Sequence, residues 1–96
     1  MLTFEWDARK STNNKRKHGV SFEEAQTIFF DENAIEYPDP DHSREEDRFL
    51  MLGCSYQLRI LVVCHCYRKS LAVVQIISAR KATSRERRVY SRRGKQ

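Results

Sequence analysis

The sequence predicts an α+β fold, in which an antiparallel β-sheet carries two N-terminal helices packed on one face and is followed by a C-terminal helix. Three observations carry this reading. Two stretches with helix-start signals come early, at Asp7 and Ser21. Three runs rich in Val, Ile and Leu then follow one another with only short joints, the mark of an antiparallel meander. A third helix-start signal, Thr83-Ser84-Arg85-Glu86, closes the chain.

Taken in order, Thr3 to Trp6 reads as a short strand with Phe4 and Trp6 on one side. Asp7 is placed to cap a polar first helix over Ala8 to His18, and Gly19 ends it because glycine takes the left-handed conformation without steric cost. Ser21-Phe22-Glu23-Glu24 has the spacing of a capping box and starts a second helix. Phe22, Ala25, Ile28 and Phe29 recur at helical spacing and form its buried stripe until Asp31, Glu32 and Asn33 break the pattern. Ala34 to Tyr37 is a short strand, and Pro38 to Ser43 a stiff acidic turn. The strands Arg48 to Cys54, Arg59 to Tyr67 and Ala72 to Ala79 form the core sheet. A last helix is expected from Ser84 to about Tyr90.

The chain divides as one domain over residues 1–90 and a basic tail over residues 91–96. Its 96 residues suit one domain and leave no room for a cofactor domain. At 40% hydrophobic and 32% charged it has enough apolar material for a core. The net charge of +5, from 18 Lys and Arg against 13 acids, favours an anionic partner. No run approaches the ~20 apolar residues of a membrane span, so a cytoplasmic protein with no membrane contact is expected. Cys54, Cys64 and Cys66 cannot all pair within the chain, and their apolar surroundings suit reduced thiols.

A set of marks recurs in order along the chain. It comprises Phe4-Glu5-Trp6-Asp7, Asn14, Lys17-His18-Gly19-Val20-Ser21-Phe22-Glu23-Glu24-Ala25, Asp31, His42 and Glu46-Asp47-Arg48. Arg59-Ile60-Leu61-Val62-Val63, Ile76-Ile77-Ser78-Ala79-Arg80-Lys81-Ala82, Glu86 and Tyr90 complete it. Over roughly residues 3–90 this set resembles the BrnT family within the RelE-like toxins, departing at Ala8, where the family often has proline, and in the basic tail from Ser91. The resemblance implies a RelE-like fold, metal-independent RNA cleavage and translation arrest. It also implies neutralisation by a cognate ribbon-helix-helix antitoxin (BrnA-like), whose complex with the toxin binds operator DNA.

Such cleavage needs a base for the ribose 2′-hydroxyl, a cation for the phosphate and an acid for the departing 5′-oxygen. Arg80, His65, Glu46 and Arg48 are the catalytic candidates, and Lys81, Tyr67, Lys17 and His18 the substrate-binding ones. Strand alternation puts Arg59, Leu61, Val63, His65 and Tyr67 on one face and Ile60, Val62, Cys64, Cys66 and Arg68 on the other. His65 with Tyr67 then suits a partly open face, where the imidazole titrates and the phenol stacks on a base. Alternatively, His65 is bonded only to backbone. Arg80 and Lys81 are read as following their strand into the last helix, holding phosphate or else pairing with Glu86 or the acidic turn. Glu46 and Arg48 form a base and phosphate clamp, or pair with each other. Lys17 and His18 track RNA, or simply meet the negative end of the first helix.

No metal and no cofactor are expected, because alternation turns His65 away from Cys64 and Cys66. Two other functions fit the charge: a non-catalytic module binding nucleic acid or protein, and a co-repressor acting only with its antitoxin.

Overall fold

The computed structural model describes residues 2–41, 47–70 and 72–94. Its elements are β1 (Thr3–Glu5), α1 (Ala8–His18), α2 (Phe22–Ala25), a 3₁₀ segment (Gln26–Phe30), β2 (Ile35–Pro38), β3 (Arg48–Cys54), β4 (Ile60–Arg68), β5 (Val73–Lys81) and α3 (Ser84–Gly94). This is an α+β fold around one five-stranded sheet in the order β1-β5-β4-β3-β2.

Local chemistry sets the helix ends. Asp7 accepts the N–H groups of Arg9 and Lys10, and Gly19 closes α1 at φ 74°, a conformation that a side chain would strain. Ser21 caps α2 by accepting the Glu24 N–H at 3.1 Å. The Glu24 carboxylate does not complete the expected box, because it is drawn instead to Ser55 and Arg59. Only one α-helical turn forms before the chain tightens into the 3₁₀ segment. That segment lies close to the sheet: a Cβ on Gly53 would sit 3.1 Å from the Ile28 Cβ and 3.2 Å from the Ala34 Cβ.

The meander β2-β3-β4-β5 is antiparallel throughout. The sheet as a whole is nevertheless mixed, since β1 lies parallel to β5, with Thr3 opposite Val73 and Glu5 opposite Gln75. Apolar alternation carries no information about strand direction. Beyond Gln75 the outer edge of β5 has no strand beside it among the described residues, and α1 covers it instead. The buried carboxamide of Asn14 donates to the Ala79 carbonyl at 2.8 Å and accepts the Ala79 N–H at 3.1 Å. It also donates to the Val20 carbonyl, so one side chain replaces a neighbouring strand and fixes α1.

The expected stripe is buried where α2 and the 3₁₀ segment meet the sheet. Phe22, Ala25 and Ile28 pack with Val20, Leu61, Val63, Val74, Ile76 and Ala79, and Phe29 lies against them. The opposite face holds a smaller cluster of Leu52, Val62 and Ala82, joined by Ile35, Tyr37, Leu50, Ile60 and Tyr90. Tyr90 brings α3 onto that second face, and its hydroxyl donates to Asp31 at 2.6 Å. α3 runs past Tyr90, the expected end of the last helix, and continues to Gly94.

One irregularity decides which side chains face where. Cys64 pairs with Ser78 but His65 pairs with Ile76, so Ile77 is an extra residue in β5. A bulge of this kind reverses the facing of all that follows. Val74 and Ile76 point to the helix-covered side, and beyond the bulge Ala79 and Lys81 do, leaving Ser78 and Arg80 on the α3 side.

Candidate functional site

The α3 side of the sheet gathers charged and polar groups in rows set by the pairing. Tyr37, Leu50, Cys64 and Ser78 form one row, Arg48, Cys66 and Gln75 a second, and Leu52, Val62 and Arg80 a third. Arg48 and Arg80 are thus four residues apart along β4, or about 13 Å, and two strand spacings apart across the sheet. They bracket the face, at a span several nucleotides long, and do not clamp a single phosphate.

Arg80 and Lys81 do not follow β5, as expected, but end it. A strand sends successive side chains to opposite faces, so only Arg80 joins this site, while Lys81 extends beside Gly19 on the other. The Arg80 side chain is 41% exposed, and its two terminal nitrogens donate to the two Glu86 oxygens at 2.8 and 2.9 Å. This is the alternative pairing that the sequence allowed. The Arg80 guanidinium, aided by hydrogen bonds from Thr83, holds the Glu86 carboxyl down at about 2. Glu86 in turn raises Arg80, which remains a cation at any working pH.

Alternation alone did not single out Tyr37, Asp39 or Cys64 in this region. Burial raises the Tyr37 phenol, and the nearby Glu86 charge adds to it. The Cys64 thiol donates to Asp39 at 3.6 Å. Burial first, and then Asp39, pushes it up to about 11, so it is a neutral thiol and not a nucleophile near pH 7. The sequence signal for these residues was only a tyrosine and an acid flanking Pro38, too common to point to a site.

His65 and Tyr67 lie on the other face, and the expectation of an open surface there is not met. His65 is 0% exposed, because the 3₁₀ segment brings Phe29 to 4.8 Å from its ring, with Tyr67 at 5.4 Å on the sheet. Its Nδ1 meets the Val63 carbonyl at 3.0 Å and its Nε2 meets Glu36 at 2.7 Å. The Tyr67 hydroxyl donates to the same Glu36 oxygen, and burial, followed by that carboxylate, raises the phenol far above its ordinary range. The Cys64-His65-Cys66 triplet is therefore split across the sheet. No group of three His, Cys, Asp or Glu suited to a metal occurs among the described residues.

A second closed network lies nearby. Glu24, 1% exposed, accepts from Ser55 at 2.7 Å and from Arg59, whose guanidinium also donates to the Gly19 carbonyl at 3.0 Å. The Arg59 hydrogen bonds outweigh burial and lower the Glu24 carboxyl.

Lys17 and His18 are exposed on the last turn of α1. With Lys10, Asn13 and Asn14 they line a groove of about 230 Å³ that reaches Ile77 and Ser78 of the bulge. The groove leads round the β5 edge towards the side bearing Arg80. Glu46 lies outside the described residues, as does His42. Arg48 opens β3, so whether Glu46 and Arg48 share a face as expected also lies outside them.

These features define a small α+β protein with one sealed sheet face and one cationic, half-open face. The family model described as the ribonuclease toxin BrnT of type II toxin–antitoxin systems matches residues 6–86. No curated protein matches the chain. Among solved structures, the 1.1 Å crystal structure of the Brucella abortus ribonuclease toxin BrnT is similar at a TM-score of 0.67 and 24% identity. That match covers 88% of this chain and 100% of the other, and it supports the fold. The chain belongs to the BrnT family of ribonuclease toxins of type II toxin–antitoxin systems, a membership that implies an RNA substrate and an antitoxin partner. No helix among the described residues is long and apolar enough to cross a membrane.

Proposed function

We propose that the chain is a metal-independent endoribonuclease that binds RNA across the α3 side of its sheet and arrests translation by cutting it. The observation that carries this is the placement of Arg80 by the Ile77 bulge, half-exposed on the face that also bears Arg48. In the reaction a base takes the 2′-hydroxyl proton as the O2′–P bond forms. The P–O5′ bond then breaks, and the leaving oxygen takes a proton from an acid. Arg80 offsets the charge gathering on the phosphate, a task suited to its planar array of donors. Arg48 holds the strand further along, and Glu46, two residues before it in sequence, is the base.

Lys17 and His18 guide the RNA backbone through the groove beside the bulge. Lys81, on the Gly19 side, adds to the same attraction at longer range. His65 and Tyr67 support the sheet from its sealed side and have no part in the reacting set. Family membership further supports neutralisation by a ribbon-helix-helix, BrnA-like antitoxin, with operator DNA bound through the complex.

The test is incubation of the antitoxin-free protein with RNA in EDTA, beside Arg80→Ala shown to be folded by circular dichroism. Cleavage by the wild type and a loss of about a hundredfold or more in the variant are expected. Salt-sensitive RNA binding without cleavage, even with ribosomes present, would mark a binding module instead.

A further inference from the structure

The end of β5 and the start of α3 form one continuous piece of hydrogen bonding around Glu86. The Thr83 hydroxyl accepts the Glu86 N–H at 3.2 Å, and Glu86 Oε1 accepts the Thr83 N–H at 2.8 Å, a complete capping box. The same carboxylate receives both terminal nitrogens of Arg80. Ala82 between them is tied to the sheet by its N–H to the Ile60 carbonyl at 2.9 Å, and Arg87 donates to the Ala82 carbonyl at 2.9 Å. The carboxylate is therefore fixed by the helix cap before it meets the arginine.

A guanidinium has two edges that can each give a pair of parallel hydrogen bonds. Glu86 takes the end formed by Nη1 and Nη2. The second Nη1 hydrogen points towards the Lys81 carbonyl at 3.4 Å. The side edge, Nε–H with the remaining Nη2 hydrogen, has no partner among the described residues, and this pair can receive two oxygens of a phosphate. Resting on the reading of Arg80 as the phosphate-binding residue, we propose that Glu86 is a positioning residue for RNA cleavage. It fixes the plane of Arg80 so that the side edge faces the phosphate.

A carboxylate that merely blocked the phosphate would have to leave, breaking the cap of α3. Held by three donors and ionised down to about pH 2, it is built to stay. The capping box of the last helix then serves two ends, starting α3 and aiming the arginine.

The experiment measures messenger RNA cleavage by the full chain in a bacterial translation extract, which supplies ribosomes. Toxin is in excess, so that the maximal rate separates from the half-saturating concentration. Glu86→Ala is expected to lower the maximal rate about ten- to a hundredfold, with half-saturation moving less than about threefold. Glu86→Gln, which keeps an oxygen for one Arg80 N–H, should recover part of the rate. Thermal melts identify any variant that fails to fold, and Glu86→Gln then decides alone. A folded Glu86→Ala cleaving at the wild-type rate or faster would overturn the proposal, as would a loss confined to half-saturation. Arg80→Ala separates the two levels. If it slows cleavage while the Glu86 variants do not, only the positioning role falls; if Arg80→Ala cleaves normally, the phosphate-binding reading falls and takes the positioning role with it.

Discussion

The two faces of the sheet treat their polar groups in opposite ways. On the helix-covered face the buried ones are matched: His65 with Glu36 and Val63, Glu24 with Arg59 and Ser55, Asn14 with Ala79 and Val20. On the α3 face Arg80 is bound at one edge of its guanidinium and open at the other. Enclosed groups with every bond satisfied serve stability, because losing one partner strands another in a dry interior. Half-open cations retain the capacity to meet a ligand. The residue types alone, a histidine and an arginine of equal catalytic promise, do not reveal this division.

The largest effect expected from this contrast is on stability, from Asn14→Leu. It removes three hydrogen bonds and leaves the Ala79 edge bare, which should cost about 3 kcal/mol in urea unfolding. A change below about 0.5 kcal/mol would show that α1 does not hold that edge. His65→Gln should cost about 1–3 kcal/mol, with cleavage per folded molecule within about twofold of wild type. If a folded His65→Gln lost cleavage altogether, the chemistry would belong to the sealed face and the comparison would invert.

The third effect is on pH dependence. Glu86 is depressed from 4.5 to about 2 in the folded protein. Its contribution to stability is thus fully present above about pH 4.5 and is lost as the pH falls through about 2. Glu86→Gln should accordingly be less stable than wild type at pH 6, with the gap narrowing between pH 4.5 and 2 in thermal melts. A gap that stays constant through that window would deny the charge its role. The smallest effect is expected at Lys17→Ala, which should leave stability within about 0.5 kcal/mol. It should reduce the slope of RNA affinity against salt by about 0.7, measured by anisotropy.

What could be read in the sequence was what depends on neighbours along the chain. Asp7, Gly19, Ser21 and Thr83 act within four residues of themselves, and all four helix-end signals are found in place. The apolar runs likewise located all five strands to within a residue or two. Long-range matters were not legible. Nothing in Thr3 to Glu5 specifies a parallel partner 70 positions later, and Glu24 looks like a capping residue until Arg59 is brought beside it. Alternation correctly grouped His65 with Arg59 and Tyr67, but it cannot say which face the helices will cover. Arg80 was legible as a residue type, whereas its position depended on an extra residue that no composition or spacing rule flagged.

That extra residue bears on how relatives should be compared. Held in a regular ladder with Ile77 paired like its neighbours, the same letters Ser-Ala-Arg-Lys would turn Arg80 towards the apolar core and Lys81 to the α3 side. Take Ile77 away, and Ile76 and Ser78 become neighbours opposite His65 and Cys64, so Arg80 stays opposite Val62 on the α3 side. Two chains with the same motif that differ only by this residue would therefore present the same chemistry to RNA, the bulge having absorbed the difference. Whether the strand bulges, and not its length alone, decides what the motif shows.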